Sequence, residues 1–161
     1  MIRPVHNDDV KELLDIYNYY VLNTNVTFDI EALSFNAFLE KVNHIKAEYP
    51  FIIYEAYNKI LGFAYGSRFR PKPAYNHTVE STVYVKHTAQ GKRIGTQLYD
   101  ALLQQLKQTN LHTVLGVVTL PNEASVKLHE KFGFKQVANL QEVGMKFGKW
   151  QNVGVWQLNL D

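Results

Sequence analysis

A glycine-containing turn at residues 90–95, with the sequence Gln-Gly-Lys-Arg-Ile-Gly, separates a β-rich segment from an apolar helical segment. A tight turn that leads into a helix presents backbone N–H groups and the positive end of the helix macrodipole. These groups suit the negative oxygens of a pyrophosphate. The turn is neither a P-loop nor a dinucleotide-binding fingerprint. By itself it is equally compatible with an ordinary strand-to-helix connection.

A carboxylate also stands inside a β-branched segment, because Glu80 belongs to the run Thr-Val-Glu-Ser-Thr-Val-Tyr-Val at residues 78–85. Alternation along a strand puts Glu80, Thr82 and Tyr84 on one face and the residues between them on the other. A glutamate that faces a cleft can act as a general base. An exposed glutamate on a half-buried strand explains the same pattern without any chemistry.

A third group of polar residues, Asn122, Ser125 and His129, lies at helical spacing. Asn122 is typical of a helix N-cap, Ser125 of close packing, and His129 of a partly buried helix histidine. A metal site is not favoured, because no second histidine stands at ligand spacing. A serine triad is not favoured either, because none of the four serines lies in a Gly-x-Ser-x-Gly motif.

The elements that must position these residues follow from hydrophobic periodicity. It predicts helices over residues 10–21, 33–45, 92–108 and 121–132, and strands over residues 2–4, 51–57, 60–67, 78–86, 113–118, 134–143 and 153–160. Residues 58–59 are predicted to form a hairpin turn, and residues 68–77 are predicted to form a loop. This mixture predicts an α/β (α+β) fold with a mixed sheet in a single core.

Composition narrows the class of protein. The 161 residues are 46% hydrophobic and 20% charged, which is typical of a globular protein, and the length predicts one domain over residues 1–161. Without cysteine there is no disulfide framework, thiolate metal site or cysteine nucleophile. The net charge of +2 contains no basic block longer than Lys92 and Arg93, which argues against binding nucleic acid or a membrane surface. No apolar run approaches a membrane span, so we expect a cytoplasmic protein.

Taken together, the motifs resemble the GCN5-related N-acetyltransferase (GNAT) superfamily. The resemblance rests on Gln-Gly-Lys-Arg-Ile-Gly before a helix and on Pro-Asn-x-x-Ser-x-x-Leu-His-x-Lys-x-Gly-Phe at residues 121–134, and it extends over nearly the whole chain. Within the superfamily, the run at residues 78–85 together with Leu-Pro-Asn, Leu-His-Glu, Val-Gly-Met-Lys and Gly-Lys-Trp is similar to the phosphinothricin and methionine sulfoximine acetyltransferase group.

For the fold and cofactor, the resemblance implies a mixed, mostly antiparallel sheet flanked by helices, with acetyl-CoA bound at the splay between the fourth and fifth strands. The implied cofactor-binding residues are Val83, Tyr84 and Val85 for the pantetheine arm, Gly91, Lys92, Arg93, Ile94, Gly95 and Thr96 for the pyrophosphate, and Asn122 near the thiol. The family usually has glycine at the position of Arg93. We therefore expect the loop to avoid a glycine-only conformation there, with a guanidinium that contacts phosphate or points to solvent.

For the reaction, the resemblance implies direct attack of a primary amine on acetyl-CoA, without a metal and without a covalent enzyme intermediate. Glu80 is then the general base, acting directly or through water, and His129 stands where many relatives carry a tyrosine acid. His129 is therefore a candidate relay or acid. The implied acceptor residues are Phe28, Lys72, Pro73, Ala74 and Tyr75, and a lysine there suits an anionic small molecule.

Three alternatives stay open at this point: a protein N-terminal or ribosomal-protein acetyltransferase, a non-catalytic acetyl-CoA-binding sensor, and an interaction module that binds no CoA. We also expect a homodimer, because the resembled group is dimeric and because ten Tyr, nine Phe and two Trp are hard to bury in a chain of 161 residues. The C-terminal segment at residues 143–156, which includes Lys149 and Trp150, is the candidate interface.

Overall fold

Seven strands form one sheet in the computed structural model, which describes residues 1–161. The strands are β1 (Ile2–Pro4), β2 (Phe51–Ala56), β3 (Lys59–Arg68), β4 (Thr78–Val85), β5 (Thr113–Leu120), β6 (Lys135–Lys146) and β7 (Lys149–Asn159). The helices are α1 (Val10–Asn23), α2 (Phe35–Glu48), α3 (Ile94–Leu106) and α4 (Glu123–Lys131). The strand order is β1-β2-β3-β4-β5-β7-β6, and only the β4–β5 pair is parallel. The predicted mixed, mostly antiparallel sheet with flanking helices is confirmed.

Helices cover both faces of the sheet. On one face, α1 and α2 pack their apolar stripes against residues such as Phe63 and Tyr84. On the other face, Leu98, Leu102 and Leu106 of α3 recur every four residues and are fully buried. The 3.6-residue period that predicted these helices is thus the period of their contact with the sheet. None of the helices is both long and apolar enough to cross a membrane.

The C-terminal hairpin is longer than the sequence pattern predicts. Residues 144–152 have no predicted strand, yet β6 continues to Lys146 and β7 begins at Lys149. Phe147 and Gly148 form the turn, with φ angles of +53° and +69°. Most of β6 is exposed, so the strand carries no strict apolar alternation, and pairing with β7 rather than burial determines its length.

The feature that positions the site is the early end of the β4–β5 ladder. The two strands pair from Thr78 opposite Thr113 to Ser81 opposite Gly116. Beyond that point β4 pairs only with β3, and β5 pairs only with β7. Two strand edges, residues 82–85 and 117–120, therefore diverge with free backbone groups between them. The predicted splay between the fourth and fifth strands is confirmed.

Candidate active site

Two cavities meet at the splay. The first, here called the β4–α3 cleft, has a volume of about 730 Å³ and lies between the end of β4, the turn that follows it, and the N-termini of α3 and α4. The second, the central cavity, has a volume of about 410 Å³ and lies among α1, α2, α4 and the central strands. Both have Val83, Tyr84, Asn122 and Ser125 in their walls. Each volume is in the range of small-molecule sites.

The β4–α3 cleft gathers most of the residues that the sequence assigned to a phosphate-bearing ligand. Nine of the ten lie in its wall: Val83, Tyr84, Val85, Gly91, Arg93, Ile94, Gly95, Thr96 and Asn122. Lys92 is exposed and is not part of the wall. The structure therefore brings together residues from β4, from the turn and from two helices.

The turn before α3 has a left-handed residue at Arg93, with φ +61° and ψ +15°. Glycine favours this conformation, but it is not restricted to glycine. A residue with a Cβ can occupy this region at a cost of about 1–2 kcal/mol. No side chain caps α3, so its first backbone N–H groups stay available to a ligand.

Tyr20 of α1 joins the cleft to the opposite face of the sheet. Its hydroxyl donates a hydrogen bond to the carbonyl oxygen of Val85 and accepts one from Nε2 of Gln90 at 3.0 Å. A single side chain thus fixes the end of β4 relative to the turn. The free edge of β4 and the N-terminus of α3 are held in one arrangement as a result.

Glu80 lies in the wall of the central cavity. Its side chain is half-buried and makes no hydrogen bond or ion pair within the chain. Burial alone raises the pKa of its carboxyl group above the ordinary value of 4.5. The explanation of Glu80 as an exposed strand residue is therefore wrong, and the structure presents an unpaired carboxylate to a cavity.

His129 is buried at the floor of the same cavity. Nδ1 lies 2.7 Å from the carbonyl oxygen of Ser125, so Nδ1 carries the proton and Nε2 holds a lone pair. Burial lowers the pKa of the imidazole, which favours this neutral form. The ring lies directly over Gly116, where an added Cβ would overlap Nε2.

Three further hydrogen bonds order this wall. Oδ1 of Asn122 accepts from the backbone N–H of Ser125 at 3.2 Å, which confirms the predicted N-cap of α4. Oγ of Ser81 lies 2.6 Å from the hydroxyl of Tyr99 and donates to the carbonyl oxygen of Leu115. The polar groups at the splay are thereby fixed before any ligand is present.

The residues assigned to an acceptor fall into two sets. Phe28 lines the central cavity, and its ring covers Gly144 so closely that a Cβ there would overlap it. Lys72, Pro73 and Ala74 are exposed, and Tyr75 packs against Phe69; none of these four residues lies in the cavity wall. Their role as acceptor residues stays a prediction.

The side chains that line the central cavity and that sequence reasoning did not assign to a site include Tyr17, Lys41 and Tyr65. A signal for Lys41 was available. It follows Phe38 by three residues and precedes Ile45 by four, so it interrupts the buried stripe of α2. A lysine on the apolar face of a helix indicates a charge held toward the interior.

Comparisons with known proteins agree with this geometry. Residues 2–153 match the family model described as an acetyltransferase (GNAT) domain. A phosphinothricin N-acetyltransferase of Streptomyces coelicolor is 38% identical over 97% of this chain and 94% of its own. An L-methionine sulfoximine/L-methionine sulfone acetyltransferase of Pseudomonas aeruginosa is 32% identical over 99% of this chain and 94% of its own. A GNAT phosphinothricin acetyltransferase from Sinorhizobium meliloti, solved in complex with AcCoA, superposes with a TM-score of 0.96 at 26% identity and covers 99% of this chain and 88% of that one.

The unpaired carboxylate of Glu80 gives a prediction about stability. Because the folded pKa lies above the ordinary value of 4.5, ionisation above that pH disfavours the folded state. We expect Glu80→Gln to raise the Tm at pH 7, and in a domain of this size each kcal/mol of added stability raises the Tm by roughly 2–4 °C. The gain should disappear near pH 4, where the carboxyl is protonated in both states. Scanning calorimetry at the two pH values measures it, with exposed Glu40→Gln as the matched control. An equal Tm for both variants at pH 7 contradicts the prediction.

The contact between His129 and Gly116 gives a second prediction. Gly116→Ala forces the imidazole out of its place, and overpacking of this kind costs about 1–3 kcal/mol. Urea denaturation measures the free energy of unfolding of the wild type, of the two single variants and of the Gly116→Ala/His129→Ala double variant. Together these values give the interaction energy between positions 116 and 129. We expect Gly116→Ala to lower the free energy of unfolding very little when His129 has already been replaced by alanine. If Gly116→Ala is equally destabilising with His129 and with alanine at position 129, the contact between the imidazole and residue 116 is not the source of the strain.

Proposed function

The chain belongs to the GNAT acetyltransferase family, and we propose that it transfers the acetyl group of acetyl-CoA to the amino group of a small amino-acid-like acceptor. Acceptors of the phosphinothricin, methionine sulfoximine or methionine sulfone type are favoured by the names of its relatives. The observation that carries the proposal is the shared wall of two cavities, one with helix N-terminal donors and one with an unpaired carboxylate. We take residues 1–161 as one acetyltransferase domain, supported by the single sheet.

In this proposal the β4–α3 cleft holds acetyl-CoA. Gly91 to Thr96 provide backbone N–H groups for the pyrophosphate, and Arg93 adds a positive charge beside them. The free edge of β4 at Val83 to Val85 pairs with the amide groups of the pantetheine arm, as an added strand would. Asn122 lies where the two cavities join, at the reactive end. The cleft wall has no metal-ligand cluster, and no group of three or more His, Asp or Glu stands together anywhere in the chain.

Glu80 is the proposed general base. Acetyl-CoA supplies an activated thioester carbonyl, and the residues of the chain must make the amine a nucleophile. An amine attacks only when neutral, and the α-amino group of an amino acid is mostly protonated at pH 7. The raised pKa of Glu80 brings its basicity closer to neutrality, which improves proton transfer from the ammonium, directly or through water.

The two roles considered for His129 are not equally supported. A proton for the leaving thiolate would have to come from Nε2, but burial and the Nδ1 hydrogen bond to Ser125 favour the neutral ring, whose Nε2 carries no proton. The arrangement supports a role in accepting or relaying a proton, and in holding the wall of the cavity. It argues against His129 as the acid.

Of the alternatives, the protein acetyltransferase would need an open groove for a polypeptide. The central cavity is instead bounded by α1, α2 and the 24–29 loop, which supports a small acceptor. A CoA-binding sensor would have no use for a half-buried, unpaired carboxylate beside the cofactor cleft. A cytoplasmic location is part of the proposal, and the lack of cysteine is compatible with a reducing compartment.

We also propose a homodimer that forms through the C-terminal hairpin. β6 is an edge strand of the sheet, and large apolar side chains on the hairpin are exposed: Val137, Leu140, Val143, Met145, Phe147 and Trp150. Trp150 is 62% exposed and Phe147 is 59% exposed. An apolar patch on an edge strand favours association with a second copy. Its two-fold form would place the same patch on both subunits.

The test of the function is release of free thiol from acetyl-CoA across a panel of amines. We expect turnover with phosphinothricin, methionine sulfoximine or methionine sulfone, and little with an N-terminal peptide. Glu80→Gln should lower kcat by roughly 10²- to 10⁴-fold with little change in the KM for acetyl-CoA. Exposed Glu40→Gln serves as the control and should match the wild type. Wild-type turnover in Glu80→Gln removes the proposed base, and faster acetylation of the peptide overturns the proposed acceptor class.

The test of the dimer is light scattering coupled to gel filtration at micromolar concentration. We expect about twice the chain mass of 18.6 kDa. Because removing apolar contact area weakens the interface, Val143→Asp/Trp150→Lys should shift the mass to that of one chain. Tyr57→Lys, at a 96% exposed position on the β2–β3 hairpin, is the matched control and should remain dimeric. A wild-type mass of 18.6 kDa at every concentration tested would rule out the assembly.

A further inference from the structure

Among the residues that line the central cavity, Lys41 is the one lysine or arginine. The side chain is half-buried and forms no ion pair with any carboxylate of the chain. Its ammonium lies 4.7 Å from the centroid of the Tyr17 ring, which gives it a cation–π contact. The side chain therefore lines the cavity with no carboxylate of the chain within ion-pair distance of its ammonium.

A lysine at position 41 lowers the stability of the folded chain, because it stands on the apolar face of α2. Phe38 and Ile45, on the same face of the helix, are buried against the sheet. Burial lowers the pKa of the Lys41 ammonium, and the negative charge of Asp29 opposes that shift without forming an ion pair. An apolar side chain would fit the stripe better. A positive charge is thus kept in the cavity wall although the fold does not need it.

Lys41 and Glu80 act at different places along the cavity. Glu80 and Lys41 form no ion pair with each other, and burial raises the pKa of Glu80. Burial raises the pKa of Tyr65 to about 12, and the charges of both Glu80 and Asp29 contribute to the rise. Glu80 stands on β4 and Lys41 on α2, so the two side chains line the cavity from different elements. A molecule that fills the cavity meets the base at one part and the ammonium at another.

We propose that Lys41 binds a negatively charged oxygen of the acceptor and so determines the preference for anionic acceptors. The inference rests on the proposed function, and it gives to Lys41 the kind of anion recognition that the family resemblance implies for exposed Lys72. The oxygen belongs either to the carboxylate of the acceptor or to an acidic group on its side chain, such as a phosphinate. A charge-assisted hydrogen bond in a site shielded from water binds either one strongly.

The test compares wild type and Lys41→Met on three acceptors: phosphinothricin, methionine sulfone and methionine sulfone amide. The first has a phosphinate and a carboxylate, the second only a carboxylate, and the amide has neither. We expect the KM for anionic acceptors to rise roughly 10- to 100-fold with kcat little changed, because ground state and transition state lose the same contact. The KM for the amide should stay the same. Lys41→Arg should recover part of the loss.

The pattern of losses identifies the oxygen. A rise for both phosphinothricin and methionine sulfone indicates the carboxylate, and a rise for phosphinothricin alone indicates the phosphinate; either result supports the proposal. Equal effects on all three acceptors overturn it. Exposed Lys11→Met removes the same charge outside the cavity and controls for net charge. A thermal melt of Lys41→Met checks the fold, and we expect its Tm to equal or exceed that of the wild type.

A binding measurement separates this inference from the proposed function. Isothermal titration of phosphinothricin into the CoA-saturated protein compares the Kd of wild type and Lys41→Met without turnover. A larger Kd in Lys41→Met than in the wild type supports the role of Lys41, even if no acetyl transfer is observed. The absence of acetyl transfer would count only against the proposed function. An unchanged Kd overturns the role of Lys41 while leaving the acetyltransferase proposal intact.

Discussion

The β4–β5 ladder ends at Ser81 and Gly116 while both strands continue, and the site depends on this divergence. Paired strands are about 4.8 Å apart, a spacing that leaves no room for a ligand between them. Once the ladder stops, the edge of β4 retains backbone donors and acceptors that a ligand can pair with. The same divergence lets the β4–α3 cleft meet the central cavity. Without it, a closed sheet would separate the β4–α3 cleft from the central cavity.

The central cavity carries two charges that the fold leaves unpaired. Glu80 and Lys41 both line it, and neither has an ion-pair partner within the chain. Each is partly removed from water, which disfavours the charged form and lowers the stability of the folded chain. The two apolar layers on the faces of the sheet offset this cost. Groups whose pKa is displaced by burial tend to mark functional sites, and Glu80, Lys41 and His129 are three such groups that line the same cavity.

The wall of that cavity is physically tied to the proposed dimer surface. Nζ of buried Lys146 donates to the carbonyl oxygen of Thr27 at 2.8 Å, and Asn25 donates to Gln151 at 2.9 Å. The loop that carries Phe28 is therefore fastened to the β6–β7 hairpin. An interface on the hairpin would hold this loop, and with it one wall of the acceptor cavity, in a single position.

Local features were readable from the sequence, because neighbouring residues determine them: the stripe of α3, the N-cap Asn122, the alternation that turned Glu80 toward one face, and the motifs that identified the family. The tertiary structure decided the rest. The place of Lys41 in the apolar stripe of α2 indicates that its charge is held toward the interior, but only the tertiary structure shows that it reaches a cavity with walls from eight helices and strands, whereas Lys72 does not. The left-handed turn at Arg93 and the fit of His129 over Gly116 likewise depend on atoms distant in the chain. Periodicity reports which face of an element is buried, but only packing determines what that face meets.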